Sequence, residues 1–335
     1  MQTQYFKVNP KQPEAEIIAL AARLIISHEL VAFPTETVYG LGAGAYYPEA
    51  VNKIFIAKQR PAANPLLVHV SNITQVGEMV LEVPPVARLL MDKFWPGPLS
   101  IVLPARDTVP LVVRGGKNSV GLRMPDHPVA LALIEAAGPI AAPSANLSGR
   151  PSPVTAAHVK DDLNGRIAAV LDAGPTGLGL ESTIIDFSQG RLQLIRRGAV
   201  DLEILEDIAG EKLALPDSEE NGFTHHQISA EVEICENEEC FQQQLDKILR
   251  DGRKLAIVYN NAGGSAALPR VADDRISASY VLDVKAGSSN LYSILRDVEQ
   301  IKADILIFAP LSSECSGIAA TLWERIKQAA RKIGR

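Results

Sequence analysis

The apolar residues of this chain keep two rhythms. Ile17, Leu20, Ala21, Leu24 and Ile25 recur at helical spacing behind Pro13, which suits a helix's first turn. Residues 30–33, by contrast, form a short unbroken apolar run that stops at Pro34, the pattern of a buried strand. A second helix is predicted from Pro48, with Val51, Ile54 and Phe55 inward, and Pro61 ends it by pushing Arg60 out of helical geometry. Further strands are predicted at 6–8, 66–70, 99–103, 120–124, 140–142, 168–172, 182–187 and 192–197, with helices at 85–94, 127–137 and about 154–163. Strands outnumber helices, so an α/β fold around a twisted, mixed sheet is expected rather than a purely parallel one.

After Gly198 the pattern changes. Residues 200–209 read as one short helix, and 211–229 have the polar, Gly- and Pro-containing composition of a linker. Beyond it, helices at 238–250, 291–302 and 318–331 alternate with strands at 255–259, 280–284 and 305–308, which predicts a small doubly wound parallel sheet. The expected layout is a first domain at 1–199, a linker at 200–229 and a second domain at 230–335. The linker is longer than a compact connection needs and reads either as a passive tether or as a lid over a site.

Composition narrows the classes. Hydrophobic residues make up 47% of the 335 and charged residues 21%, ordinary for a globular chain with sizeable cores. No run approaches the roughly 18–20 apolar residues of a membrane span, and the polar start resembles no leader, so a cytoplasmic protein without membrane partners is expected. Cys235, Cys240 and Cys315 lack CxxC spacing and are read as reduced thiols. The net charge of −6 is unevenly shared: residues 1–199 carry 18 Lys and Arg against 16 Asp and Glu, leaving 15 against 23 for the rest. The first domain is therefore the better host for anions, while an acidic chain with 5% aromatics disfavours a broad nucleic-acid surface.

Candidate chemistry begins where the 30–33 strand ends. Thr35, Glu36 and Thr37 fall at a strand's carboxyl end, where open α/β sheets bind ligands, and Gly40 and Gly42 are read as letting backbone approach a ligand. The same stretch also suits a polar turn with nothing bound. Lys58 and Arg60, with Asn64 close behind, are either a fixed pair of cations or solvated side chains favourable at a helix C-terminus. Arg123, between Leu122 and Met124, needs a partner if buried, and Arg196 and Arg197 end another strand. Gathered at one rim, these cations would hold a polyphosphate and a carboxylate. His69 is either a satisfied core histidine or a donor to a bound carboxylate. Ser144, Asn146, Ser148 and Ser152 are neutral donors that suit a nucleotide or an ordinary turn, and Ser182 and Thr183 follow a glycine-bearing run without the GK[ST] of a phosphate loop. Walker A, GxGxxG, GxSxG and HExxH patterns are absent, which removes support for the common NTPase, dehydrogenase and hydrolase classes.

Six motifs in order resemble those of the YrdC-type threonylcarbamoyl-AMP synthases. They are PTETVYGLG at 34–42, Lys58-x-Arg60-Pro61 with Asn64-Pro65-Leu66, Phe94-Trp95-Pro96-Gly97-Pro98, Gly121-Leu122-Arg123-Met124-Pro125, Pro143-Ser144-Ala145-Asn146-Leu147-Ser148-Gly149 and Glu181-Ser182-Thr183. The whole chain is similar to the long, two-domain form, which implies a twisted first domain with a basic cavity and a Rossmann-like second one. The resemblance implies synthesis of L-threonylcarbamoyladenylate from L-threonine, bicarbonate and ATP with release of pyrophosphate, towards threonylcarbamoyladenosine in tRNA. It assigns threonine to Thr37, His69, Arg123, the Ala142 backbone and Ser182, and ATP to Arg60, Asn64, Ser119, Ser144, Ser152 and Arg196. Lys58 shares the basic motif, and with Arg60 it is expected to serve the reaction rather than the fold, since both are read at an exposed helix end. Mg2+ is expected to ride on the ATP phosphates with water, without a protein cage. Hand-over of the product to a tRNA threonylcarbamoyltransferase is expected, with direct tRNA contact left open. The matching linker segment, 220–230, keeps Gly222 but lacks the family's basic residue, tyrosine and final proline, so the family's tyrosine contact to ATP has no match. A binding module that holds RNA in the same cavity without chemistry is the alternative. A carbamoyl-transfer domain of the hydrogenase-maturation type is a third, lacking its zinc-finger cysteines.

Overall fold

The computed structural model describes residues 2–215, 228–260, 274–282, 290–310 and 317–330. These fall into two compact units, the first holding residues up to 215 except 149–151, which group with the second. The first unit opens with β1 (Gln4–Lys7), α1 (Ala15–Ile26), β2 (Val31–Phe33), β3 (Gly40–Gly44), α2 (Pro48–Lys58) and β4 (Leu67–His69). It continues through α3 (Ile73–Met79), α4 (Pro85–Phe94), β5 (Leu99–Pro104), α5 (Leu111–Arg114), β6 (Ser119–Arg123), α6 (Pro128–Ala137) and β7 (Ile140–Ala141). The last elements are α7 (Ala156–Leu163), β8 (Ala169–Asp172), β9 (Thr183–Asp186), β10 (Gln193–Arg196) and α8 (Leu202–Ala209).

Among the described residues these strands form one ten-stranded sheet in the order β1-β8-β2-β3-β7-β4-β6-β5-β9-β10. It is mixed, as the pattern predicts: β4 runs parallel to β6 and antiparallel to β7. Successive strand residues face opposite ways, and the core divides accordingly. Val31 and Phe33 join the apolar cluster of α1 and α6, whereas Ala32 between them joins the larger cluster of α2 and α4. The buried stripe of α1 centres on Ile18, Ala21, Ala22 and Ile25 and leaves Leu20 exposed, a slight rotation of the predicted face.

Three differences from the sequence pattern bear on the site. Residues 40–44 are not a turn but strand β3, antiparallel to β2 with Phe33 opposite Gly40, so residues 34–39 are a hairpin loop. A Cβ at Gly42 would lie 2.8 Å from both the Phe33 ring and Ile140, so this glycine makes room for an aromatic side chain rather than for a ligand. The expected linker also starts too early at 200. Val200, Leu205 and Leu213 are buried in the first unit's main cluster and Ala214 bridges to Gln193, which carries the packed unit to Ala214. Residues 216–227, with the tether-or-lid reading, lie outside the described residues.

The second unit holds β11 (Glu231–Ile234), α9 (Glu238–Arg250), β12 (Leu255–Asn260), β13 (Ile276–Leu282), α10 (Leu291–Gln300), β14 (Ile305–Phe308) and α11 (Gly317–Ala330). Its described strands run parallel in the order β11-β14-β12-β13, as the alternation predicts. Strand β11 went unpredicted and β13 starts four residues before the expected 280, although polar residues alternate with apolar ones in both, the pattern of a half-buried strand. Among the described residues no helix is long and apolar enough to cross a membrane.

Candidate active site

Strands β4 and β6 end together. Their parallel register sets His69 beside Arg123, and on the other flank of β4 the antiparallel β7 sets Ile140 beside His69. Ala142 follows directly, its N–H donating to the Leu67 carbonyl at 2.9 Å. Two of the five expected threonine residues, His69 and Arg123, thus meet because two parallel strands end together, while Ala142 leaves the antiparallel β7 at the start of β4, two strand residues back from His69. Thr37 arrives from the hairpin loop, fully buried, with its hydroxyl 2.8 Å from that of Thr35. Since Thr35 donates to the Val38 carbonyl at 2.6 Å, the proton between the two threonines belongs to Thr37.

The 94–98 motif links Arg123 to Ser182. Arg123 Nε donates to the Gly97 carbonyl at 3.3 Å, and Thr183 N donates to the neighbouring Pro98 carbonyl at 3.0 Å. Ser182, just ahead of β9, shares a 2.8 Å hydrogen bond with Ser100 on β5. Arg196, at the end of β10, donates through Nη2 to the Ser182 carbonyl at 2.9 Å and to its hydroxyl at 3.2 Å. One residue assigned to ATP and one assigned to threonine are therefore directly joined.

The partner that buried Arg123 requires is Glu36. Its carboxylate lies 2.6 Å from Arg123 Nη2. The approach is off the hydrogen-bonding direction, so both Glu36 oxygens and Arg123 Nη2 have no hydrogen bond among the described residues. His69 is 4% exposed, and burial together with the Arg123 charge pushes its pKa down to about 3, against a hydrogen bond to the Ile140 backbone. The ring is neutral. With a ring N–H given to Ile140, Nδ1 is a bare acceptor without a partner among the described residues. That corrects the expected role of donor to a carboxylate: this nitrogen suits a hydroxyl or ammonium hydrogen.

Lys58 and Arg60 part company at the end of α2. Gln59 takes a left-handed φ of 53° there, and Arg60 N reaches back to the Phe55 carbonyl at 2.9 Å. Lys58 is not at an exposed end; it is 2% exposed, and its ammonium donates to the Ser144 and Asn146 carbonyls. Ser144 in turn donates to Asn146 Oδ1. The 143–149 loop is thus shaped around a buried cation, through carbonyls that would otherwise crowd their dipoles together. Arg60 is half-buried, which pushes its pKa down to about 10 by desolvation. Its Nη2 donates to the Pro65 carbonyl at 3.4 Å beside Asn64, while its buried Nε has no partner among the described residues.

Ser152, also buried, donates to Glu181 Oε1 at 2.8 Å, which ties the loop after 149 to the start of β9. Ser119 stands apart from this set. It opens β6 opposite Pro104 of β5, roughly 13 Å of strand before Arg123. Sequence reasoning placed Glu36 at a ligand-binding strand end without a partner, and gave no role to Ser100 or Glu181. Glu36 and Glu181 lie inside quoted motifs, but the partners that give them meaning are on other strands.

Hydroxyls and arginines gathered at the strand ends of a mixed sheet define a class of anion-handling α/β proteins, and comparison with known families gives it a name. The model for the Sua5, YciO and YrdC family, described as telomere recombination, matches residues 23–198, and one described as the threonylcarbamoyl-AMP synthase C-terminal domain matches 201–331. The chain belongs to the Sua5/YciO/YrdC family and carries the Sua5-type C-terminal domain. It is 39% identical to the threonylcarbamoyl-AMP synthase of Bacillus subtilis over 93% of this chain and 92% of that one. It is 37% identical to that of Pyrococcus abyssi over 93% and 94%. The structure of P. abyssi Sua5 complexed with L-threonine matches with a TM-score of 0.88 and 35% identity, covering 98% of each chain.

Proposed function

We infer that this chain is a nucleotidyltransferase that makes L-threonylcarbamoyladenylate from L-threonine, bicarbonate and ATP, releasing pyrophosphate, the first step towards threonylcarbamoyladenosine in tRNA. The observation that carries the reading is His69 beside Arg123 at the ends of β4 and β6, in a chain that matches threonylcarbamoyl-AMP synthases over nearly all its length. Arg123 is the guanidinium for the α-carboxylate, and the bare Nδ1 of His69 with the Thr37 and Ser182 hydroxyls and the Ala142 backbone supplies the remaining polar contacts. For ATP, Arg60 and Arg196 are the cations, and Asn64, Ser119, Ser144 and Ser152 the neutral groups. Lys58 acts through the loop it holds, which makes it a positioning residue.

Attack of a carbamate oxygen on the α-phosphorus forms one P–O bond as the bond to the β-phosphate breaks, and negative charge gathers on the α-phosphoryl oxygens. Positioned cations lower that barrier without a covalent nucleophile. Among the described residues no group of three or more His, Cys, Asp or Glu stands together as a metal cage. Mg2+ enters this reading as an ion carried on the ATP phosphates, where it would neutralise charge. The product is a mixed anhydride open to hydrolysis, so a tRNA threonylcarbamoyltransferase in the same compartment, the cytoplasm, must consume it. We assign the chemistry to the first unit. The test is pyrophosphate release: it should require ATP, L-threonine and bicarbonate together, and release that ignores threonine or bicarbonate would overturn the reading.

A further inference from the structure

Resting on that function, we propose that Glu36 receives the α-ammonium group of L-threonine and accepts its proton as the carbamate forms, so that Arg123 and Glu36 together hold the two poles of the amino acid. Glu36 is only 12% exposed at its side chain and pairs with Arg123 at 2.6 Å, yet among the described residues neither of its oxygens has a hydrogen bond. A buried carboxylate with one ion pair and its hydrogen-bonding capacity unused still bears a desolvation cost, and such groups persist where function needs them. Its backbone is pinned: the Leu178 and Gly179 N–H groups donate to the Glu36 and Thr37 carbonyls at 2.7 and 3.1 Å. The side chain is therefore presented by a fixed loop.

A structural counter-ion to Arg123 would take the aligned, bidentate geometry that arginine favours. Glu36 instead sits 2.6 Å from Nη2 without alignment, while Arg123 Nε is already committed to Gly97. A substrate carboxylate approaching the remaining edge of Arg123 meets the negative charge of Glu36 unless it brings its own cation. An α-amino acid does, since its ammonium is attached to the carbon that bears the carboxylate. The pair thus selects a zwitterion over a hydroxy acid. Thr37 cannot replace Glu36 here: with its own proton given to Thr35 its oxygen can accept a hydrogen bond, but a neutral alcohol neither balances the ammonium charge nor takes its proton.

The chemistry needs the same group. The ammonium gives one proton to Glu36 and becomes a free amine, whose lone pair attacks the bicarbonate carbon. A C–N bond forms, the C–OH bond breaks, and hydroxide leaves as water with the second amine proton, giving the carbamate anion. Glu36 then returns its proton to solvent. General-base assistance of this kind is typically worth about 10^2–10^4 in rate.

The test uses the full chain carrying Glu36→Gln, read in both directions. Pyrophosphate release from ATP, L-threonine and bicarbonate should fall at least about a hundredfold. ATP formation from purified L-threonylcarbamoyladenylate and pyrophosphate, which needs no amine deprotonation, should fall far less. In titrations, wild type should prefer L-threonine to 2,3-dihydroxybutanoate, which has a hydroxyl in place of the ammonium, and Glu36→Gln should lose that preference. Unchanged forward rates, or equal losses in both directions, would overturn the proposal. If Glu36→Gln does not fold, Glu36→Asp carries the test, with the same unequal loss expected and an equal loss overturning it. A wild-type chain that releases no pyrophosphate refutes the function itself, whereas an active wild type with an active Glu36→Gln refutes only this inference.

Discussion

Lys58 is a charge spent on shaping a loop. Its ammonium serves the Ser144 and Asn146 carbonyls, and Lys58→Met keeps the apolar stem while removing that donor. Each buried carbonyl left unpaired costs about 1–3 kcal/mol, so the urea midpoint should fall. Adenylate synthesis should also fall at least about tenfold as Ser144 drifts, equivalent to ~1.4 kcal/mol. A variant as stable as its parent would separate Lys58 from the loop. His69 carries a pH prediction. The folded chain holds it neutral down to about 3, while the unfolded chain protonates it near 6.5. The unfolded state thus binds the extra proton between those values, so its contribution is complete above 6.5 and is lost as pH falls towards 3, at up to about 1.4 kcal/mol per pH unit. Unfolding midpoints taken from pH 7 to pH 5 should drop more steeply in wild type than in His69→Gln, and parallel curves would refute the assignment. The need of Arg123 for a partner was legible from its place between Leu122 and Met124; that Glu36 supplies it was not, because the two meet only when the 34–39 hairpin folds over β6.

Among the elements, β3 was the hardest to see. Its Gly-Leu-Gly-Ala-Gly run has neither apolar alternation nor β-branched residues, and local rules read glycines as turn signals. What makes it a strand is the Phe33 ring lying across it, with Gly42 at 2.8 Å from where a Cβ would stand. Gly42→Ala should therefore destabilise by about 1–3 kcal/mol through overpacking, although alanine normally favours extended chain over glycine. A thermal melt unchanged by Gly42→Ala would show that the ring relaxes away. Helix α3 was missed for a different reason. It is short and contains Gly77, and the usable signal was its N-cap, where the Asn72 side chain accepts from Gln75 N at 3.1 Å. By contrast α2, α4 and α6 each start on a proline, with Pro at the first turn, and were legible from sequence.

At the scale of the molecule, residues 2–215 bury two apolar clusters on opposite faces of one sheet, enough for a unit that folds by itself. A chain ending at residue 215 should unfold in one cooperative thermal transition followed by circular dichroism; a broad, featureless melt would show that this unit depends on residues beyond 215. The alternation of strand and helix, the mixed character of the first sheet and the parallel character of the second were all in the sequence, because each follows from the spacing of apolar side chains within a segment and from proline at its ends. So was the inventory of hydroxyls, arginines and lysine at strand and helix termini. Tertiary structure alone decided the pairings: Glu36 against Arg123, Ser182 against Ser100 and Arg196, and Lys58 against carbonyls more than 80 residues away. Periodicity reports which way a side chain faces within its own element. It carries no information about strand order, and it is the β7-β4-β6 adjacency that turns distant motifs into one site.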